Sequence, residues 1–270
     1  MPILSDLWVA TLTSTSEDSG SDSDLVVIMN QNNLDAVHRN LAFGPVDTGG
    51  GKLYHHDISD AALDPDQDFY MRIGTRGSDA WRPTLIAAWG QRIATGNVVP
   101  LRYDEELAVI LSTDSSEGRI SLPLREIVGG QIRTGINRVM LVTGTGFGDF
   151  GTDSPIHVRI TVGQTVVVDH TIPDTSQDDL DAAEGNVYFI PVIQQFTRSQ
   201  LTDTSIELSI LGDDAWRPIV VVMFGLDTAS GQPGKMVPLV HLHPWGSQVL
   251  STDPSEGLPS VTLALAPIDP

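Results

Sequence analysis

The sequence Asp-Ala-Trp-Arg-Pro occurs twice in this chain of 270 residues, at 79–83 and again, 135 positions later, at 214–218. In each copy a glycine, Gly77 or Gly212, stands two positions before the motif. An apolar run follows each copy and ends in an aromatic residue and a glycine. Five identical residues in matching contexts are not expected by chance. The motif therefore predicts an internal duplication and sets the register between the two halves.

Further pairs of similar segments follow in the same order along both halves. The pairs are 20–23 with 151–154, 99–101 with 237–239, and 111–118 with 250–257. The offset within these pairs drifts from 131 to 139 positions, which small insertions in loops explain. The boundary between the halves falls near 128–131. We predict a first domain at 1–128 and a second domain, its internal duplicate, at 129–270.

Short apolar or alternating runs separated by polar turns make up most of both halves, and long helical periodicity is absent. The 25 glycines and 17 prolines suit many short connections. Strands are predicted at 7–13, 25–29, 69–73, 85–89, 107–111, 120–124, 138–143, 156–162, 165–170, 205–211 and 261–266. Only 60–63 and 194–201 resemble short helical turns. The predicted fold class is all-β, with two homologous antiparallel β-sandwiches in tandem.

The charge balance is strongly acidic, with 35 Asp and Glu against 15 Lys and Arg and a formal net charge of −20. Such a chain repels nucleic-acid phosphates, so we expect no nucleic-acid binding through a basic groove. The same charge suits the binding of cations. The chain has no cysteine, which excludes disulfides, thiolate metal sites and Cys nucleophiles.

The first nine residues carry neither a basic n-region nor an apolar h-region, so no signal peptide is predicted. We therefore expect a protein that stays in the cytoplasm or is released without a conventional signal. No stretch approaches 18 uninterrupted apolar residues, so no transmembrane segment is expected.

The second half contains a strand ending in Val-Thr-Gly at 142–144, then Phe-Gly-Thr-Asp at 150–153 and an alternating strand at 156–162. This order resembles the opening of the PLAT (LH2) domain family. The later Asp-x-Trp before an apolar strand is similar to that family's Trp-containing segment. The first half departs from the pattern, because Ser14 replaces the Gly and Ser21 replaces the Thr. A PLAT-like sandwich is one predicted fold, and a jelly roll or generic β-sandwich is the other.

PLAT domains are eight-stranded sandwiches that bind membranes or partner proteins, often with calcium. The resemblance places the family's calcium-side loop on the second half, and the internal repeat carries it over to the first half. The metal ligands implied in this way are Asp149, Asp153, Asp213 and Asp214 in the second half, and Asp18, Asp22 and Asp79 in the first.

Calcium requires six to eight oxygen ligands from carboxylates, carbonyl groups and water, and Gly-rich loops bearing two or three Asp can supply them. The spacing does not fit an EF-hand, because no Glu closes a twelve-residue frame with Gly at position six. The alternative is that the same Asp and Ser side chains cap solvated turns. The sequence leaves both interpretations open.

Trp81 and Trp216 each enter an apolar strand, which favours a core anchor over an exposed contact and makes the preceding Asp a brace of the turn.

His241 and His243 alternate along a strand and so share a face, a geometry that binds zinc when a third ligand arrives from elsewhere. Surface histidines are the alternative. The sequence contains no nucleophile elbow, zincin motif or Walker A loop.

We therefore predict a non-enzymatic binding or assembly protein whose acidic loops take calcium. The expected partner is a protein, a lipid surface or a glycan, and a homo-oligomer is a further expectation. One alternative is a structural component of a phage particle or another self-assembling shell, which a pseudo-symmetric duplication suits. Another is a metal-dependent hydrolase built on His241 and His243.

Overall fold

The chain divides into two compact units, one of Met1–Ile127 together with Pro267–Pro270 and one of Val128–Ala266. The computed structural model describes residues 3–32, 34–42, 46–125, 135–146, 151–173, 180, 185–227 and 235–269. The predicted second domain ran to residue 270, whereas the last four residues group with the first unit. The carbonyl of Pro267 accepts a hydrogen bond from the N–H of Val98 at 2.9 Å, and Arg92 Nε donates to Asp269 at 2.6 Å.

The first unit consists of two four-stranded antiparallel sheets. Its strands are β1 Leu4–Thr13, β2 Leu25–Gln31, β3 Leu34–Ala42, β4 Gly51–Asp57, β5 Phe69–Thr75, β6 Pro83–Arg92, β7 Val98–Glu105 and β8 Ser121–Pro123. One sheet has the order β4-β1-β6-β7 and the other has the order β3-β2-β5-β8. Val9 and Ile86 from the first sheet and Val27, Met71 and Ile73 from the second belong to one buried apolar core.

The second unit also has two four-stranded antiparallel sheets, with a two-stranded ribbon beside them. Its strands are β9 Ile136–Thr145, β10 Ile156–Val162, β11 Thr165–Ile172, β12 Gly185–Phe196, β13 Ile206–Ile210, β14 Ala215–Trp216, β15 Pro218–Asp227, β16 Lys235–Leu242, β17 Leu250–Ser251 and β18 Ser260–Leu263. The sheet orders are β12-β9-β15-β16 and β11-β10-β13-β18, and the ribbon is β14-β17.

Both units place their strands in the same order. Without the short ribbon, the fourth, first, sixth and seventh strands of each unit form one sheet. The third, second, fifth and eighth strands form the other sheet. The predicted fold class is thus confirmed as all-β with antiparallel sandwich sheets. The shared order also supports the proposed duplication.

Strand prediction was wrong at 107–111. Residues 107–110 form no strand, and only Leu111 makes an isolated bridge to Trp81. The strand at this point of the fold is β7, which sequence reasoning missed because Pro100, Arg102 and Asp104 interrupt its apolar residues. Strands β3 and β4 were missed for a similar reason, since their apolar alternation is interrupted by polar residues.

Short helical turns occur where two were predicted, as 3-10 turns at Ser59–Ala61 and Arg198–Gln200. The start of the second predicted turn instead continues strand β12 to Phe196. In the described part of the chain, no helix has the length and apolar character needed to cross a membrane.

Candidate functional site

The two Trp residues of the repeated motif are fully buried, as the sequence predicts for core anchors. The Nε1 of Trp81 donates a hydrogen bond to Thr13 Oγ1, and the Nε1 of Trp216 donates to Thr145 Oγ1, both at 3.1 Å. Burial of an indole ring is strongly favourable once its N–H has found a partner. Each Trp therefore ties its turn to the first strand of its own unit.

The Asp of each motif braces the turn through the loop that follows the first strand. Asp79 Oδ2 accepts the N–H of Asp22 at 2.6 Å, and the N–H of Asp79 donates to Ser23 Oγ at 3.1 Å. Asp214 Oδ2 accepts the N–H of Asp153 at 3.2 Å. These contacts confirm the bracing role. They also place Asp79 next to the loop that carries Asp18 and Asp22, so the three predicted metal ligands of the first unit lie in neighbouring loops.

The glycine before each motif is required by close packing against the same loop. A Cβ on Gly77 would lie 2.0 Å from Ser23 Oγ, and a Cβ on Gly212 would lie 1.9 Å from Ser154 Oγ. Real side chains do not tolerate such distances. The paired glycines thus mark the point where the Trp loop crosses the Asp-rich loop in each unit.

A third loop, the Ser-Glu-Gly loop at 112–118, lies against the Trp loop of the first unit. Ser112 Oγ donates to the carbonyl of Ser78 at 3.0 Å and to Glu117 Oε2 at 3.2 Å. Asp114 Oδ1 accepts the hydroxyl of Ser116 at 2.6 Å and its N–H at 2.8 Å. These two bonds, the hydroxyl first, hold the pKa of Asp114 below its ordinary value.

The second unit contains the same loop with the same bonds. Ser251 Oγ donates to Glu256 Oε2 at 3.1 Å, and Asp253 Oδ1 accepts the N–H of Ser255 at 2.8 Å and its hydroxyl at 2.7 Å. The backbone N–H and then the hydroxyl of Ser255 lower the pKa of Asp253. This repeated segment is therefore a self-bonded turn in both units.

In the first unit these three loops and the segment 46–48 surround a cleft of about 810 Å³ that is lined by acidic side chains. We call it the acidic cleft. Its charged lining residues are Asp18, Asp22, Asp47, Asp79, Glu117 and Arg82. All three metal ligands that the sequence predicts for the first half line the acidic cleft. Five carboxylates face one guanidinium there, so the cleft attracts cations.

Sequence reasoning missed two of these carboxylates, Asp47 and Glu117. Asp47 is brought to the acidic cleft by an antiparallel bridge between Ser21 and Val46, with N···O distances of 2.9 and 2.7 Å. No local pattern predicts that bridge. Glu117 belongs to a duplicated segment, and that duplication was the signal that could have drawn attention to it.

The five carboxylates of the acidic cleft differ in whether they already accept a hydrogen bond or lie near a cationic side chain. Asp79 and Glu117 accept the hydrogen bonds given above, and Asp47 lies 3.6 Å from Lys52 Nζ. The carboxylates of Asp18 and Asp22 are exposed and accept no hydrogen bond from the part of the chain that the structure describes. Those two side chains are therefore the ones available to a cation.

Across the described ranges, no group of three or more His, Asp or Glu side chains is close enough to hold a metal ion. The acidic cleft thus supplies charge and oxygen atoms around an open space, not a closed coordination shell. Calcium binding remains a prediction for which the cleft gives a location.

The predicted ligands of the second unit are only partly brought together. Asp153 and Asp214 are joined by the hydrogen bond described above, and Asp213 is exposed beside them. Asp149 lies outside the described residues. His241 is on strand β16 opposite Val222, whereas His243 follows the end of that strand at Leu242. The zinc site proposed for the two histidines stays a prediction.

Comparison of the chain with protein-family models, with curated proteins and with solved structures finds no match. The PLAT resemblance accordingly stays a prediction, and function is argued from the site.

Proposed function

We propose that this protein is a non-enzymatic binding and assembly protein whose acidic cleft takes calcium and presents it, or the bare carboxylates, to a partner. The observation that carries the proposal is the convergence of five carboxylates on one cleft of about 810 Å³. Calcium prefers oxygen ligands and completes its shell with backbone carbonyls and water, so an open cleft of this chemistry suits it.

The frame of the acidic cleft supports the proposal because its loops are held in place. Trp81 is anchored in the core, and the carboxylate of Asp79 is bonded to the Asp22 N–H. A cation then has to order only the side chains of Asp18 and Asp22, which lowers the entropy lost on binding. The partner classes proposed from the sequence are a protein, a lipid surface or a glycan.

Thermal unfolding in calcium and in chelator tests this proposal. Bound calcium should raise the melting temperature, because a ligand that binds only the folded state stabilises it by mass action. The Asp18→Asn/Asp22→Asn variant should lose that shift. Asp68→Asn/Asp203→Asn, which removes the same charge at two exposed positions outside the predicted ligand sets, should retain it. Absence of a shift at millimolar calcium in the parent protein would remove calcium from the proposed function.

The self-assembling structural protein is kept as a second candidate. One observation favours it, namely a cationic sheet face on the first unit of this strongly acidic chain, which is described next.

A further inference from the structure

One face of the β3-β2-β5-β8 sheet points away from the core of the first unit. Val27 and Met29 on β2 and Met71 and Ile73 on β5 face the core, so their neighbours in sequence face outward. The outward row in register across the four strands is His38, Ile28, Arg72 and Pro123. We call this surface the cationic face.

Arg72 and Arg76 on the cationic face make no ion pair with a described residue. Arg72 is half-buried, and its Nε is inaccessible and has no hydrogen-bond partner among the described residues. Arg76, four positions further along and just beyond the end of β5, is exposed and donates a hydrogen bond to His38 Nε2. The carboxylate of Asp35 on the neighbouring row is hydrogen-bonded to Asn30. A buried N–H without an acceptor is unfavourable, and a partner carboxylate on the accessible part of the Arg72 guanidinium would offset that cost.

Apolar and aromatic groups surround these cations, as they do in protein interfaces. Ile28 lies between His38 and Arg72 in the row, and Tyr70 is 49% exposed at the next outward position of β5. Aromatic residues and Arg are enriched in the buried centres of interfaces. The composition of the cationic face therefore points to a protein partner with carboxylates.

The corresponding face of the second unit lacks this character. Its equivalent row, in register on β11, β10, β13 and β18, is Asp169, Arg159, Glu207 and Thr262. There Arg159 has an acid on each side, and Asp169 also pairs with His157 at 2.7 Å. Charges on that face are balanced locally, as on a solvated surface. Among the described residues, the compared row of the first unit carries an arginine with no acid beside it, and that of the second unit does not.

We propose that the cationic face of one copy of this chain docks on the acidic cleft of a second copy. The cleft presents five carboxylates and one arginine, and Arg72 and Arg76 supply the complementary charge. Guanidinium groups bind carboxylates through paired, charge-assisted hydrogen bonds. The net charge of −20 on each copy does not prevent such contact, because screening at physiological ionic strength extends only about 8 Å.

Such a contact joins two different surfaces, so it is heterologous and leaves one free cationic face and one free cleft on every pair. Repeated docking produces a ring if the rotation closes and a filament if it does not. This inference rests on the assembly part of the proposed function and names its partner as the chain itself. It does not depend on calcium.

Sedimentation velocity over a range of protein concentrations and salt tests the docking. The parent protein should associate at low salt and dissociate as salt rises. Arg72→Glu should weaken association at least tenfold, and Arg76→Glu, at an exposed position that the fold does not need, should weaken it as well. Arg159→Glu makes the same charge change on the balanced face and should leave association unchanged. Circular dichroism establishes that each variant is folded.

A mixing experiment tests the heterologous geometry. Arg72→Ala/Arg76→Ala keeps the cleft and loses the face, whereas Asp18→Lys/Asp22→Lys keeps the face and loses the cleft. Each variant alone should be monomeric, and an equimolar mixture should form a 1:1 complex and nothing larger. A monomeric parent protein at all concentrations, parent-like association of both arginine variants, or a mixture without complex would overturn the proposal. Loss of the calcium shift with intact association would overturn only the calcium function.

Discussion

The Trp turns of the two units are nearly identical in their contacts, whereas the outer faces of the equivalent sheets differ in charge pattern. Trp81 and Trp216 make the same 3.1 Å bond to a Thr of the first strand. By contrast, Arg72 on β5 occupies the place that Glu207 occupies on β13. The difference separates two kinds of constraint. The Trp and Thr that close each sandwich are the same in both units, and the compared positions on the outer face differ.

The largest expected effect comes from breaking the shared part of this comparison. Trp81→Ala and Trp216→Ala should each lower the free energy of unfolding of their unit by about 3–5 kcal/mol, because each leaves a large cavity. Denaturant unfolding followed by circular dichroism measures the loss. Substitution of the same Trp by Phe should retain most of the stability that the Ala variant loses. A loss below about 1 kcal/mol for one Trp alone would show that the two turns are not equivalent.

The next effect concerns the glycines before the motif. Gly77→Ala and Gly212→Ala should each destabilise by about 1–3 kcal/mol, because the new Cβ overlaps Ser23 or Ser154. Gly50→Ala is the control, since its nearest neighbour would be at an ordinary 3.4 Å. The same denaturant curves report all three variants. Equal midpoints for Gly77→Ala and Gly50→Ala would contradict the packing argument.

A smaller effect is expected from the bracing carboxylates. Asp79→Ala removes the acceptor of the Asp22 N–H and should cost about 1 kcal/mol. Asp214→Ala should cost a similar amount, because its carboxylate accepts the Asp153 N–H at 3.2 Å and the Ala215 N–H at 2.8 Å. Asp213→Ala is the control, since its side chain makes no hydrogen bond with a described residue. If Asp213→Ala lowers the free energy of unfolding as much as Asp214→Ala does, the effect comes from the lost charge and not from bracing.

The smallest effect is a pH effect in the Ser-Glu-Gly loop. Ser116→Ala should raise the pKa of Asp114 back toward its ordinary value of 3.8, and Ser255→Ala should do the same for Asp253. A lowered folded-state pKa stabilises the protein above the unfolded pKa, and that stabilisation disappears as pH falls through the folded pKa. Each variant should therefore differ from the parent at neutral pH and converge with it in acid. Carboxyl-carbon NMR titration gives the pKa values, and unchanged values would refute the assignment.

Prediction from the sequence succeeded where a local pattern was sufficient to determine the structure. The repeated Asp-Ala-Trp motif predicted buried Trp residues and braced turns, and the structure has both. Prediction failed at β7, because Pro100, Arg102 and Asp104 break the apolar alternation of a strand that pairs with β6. Tertiary pairing there outweighs local preference.

The candidate site was predictable only in part. Asp18, Asp22 and Asp79 were proposed as ligands, and all three line the acidic cleft. Asp47 could not be proposed, because it reaches the cleft only through the bridge between Val46 and Ser21.

The sequence by itself determined the all-β class and the buried role of Trp81 and Trp216. These properties depend on alternation, on turn residues and on a repeat that is visible along the chain. Only the tertiary structure decided that Asp47 and Glu117 join the acidic cleft and that Arg72 lies in one row with His38. Strand register and long-range pairing set those neighbours, and a change of one residue in register would move every side chain to the other face.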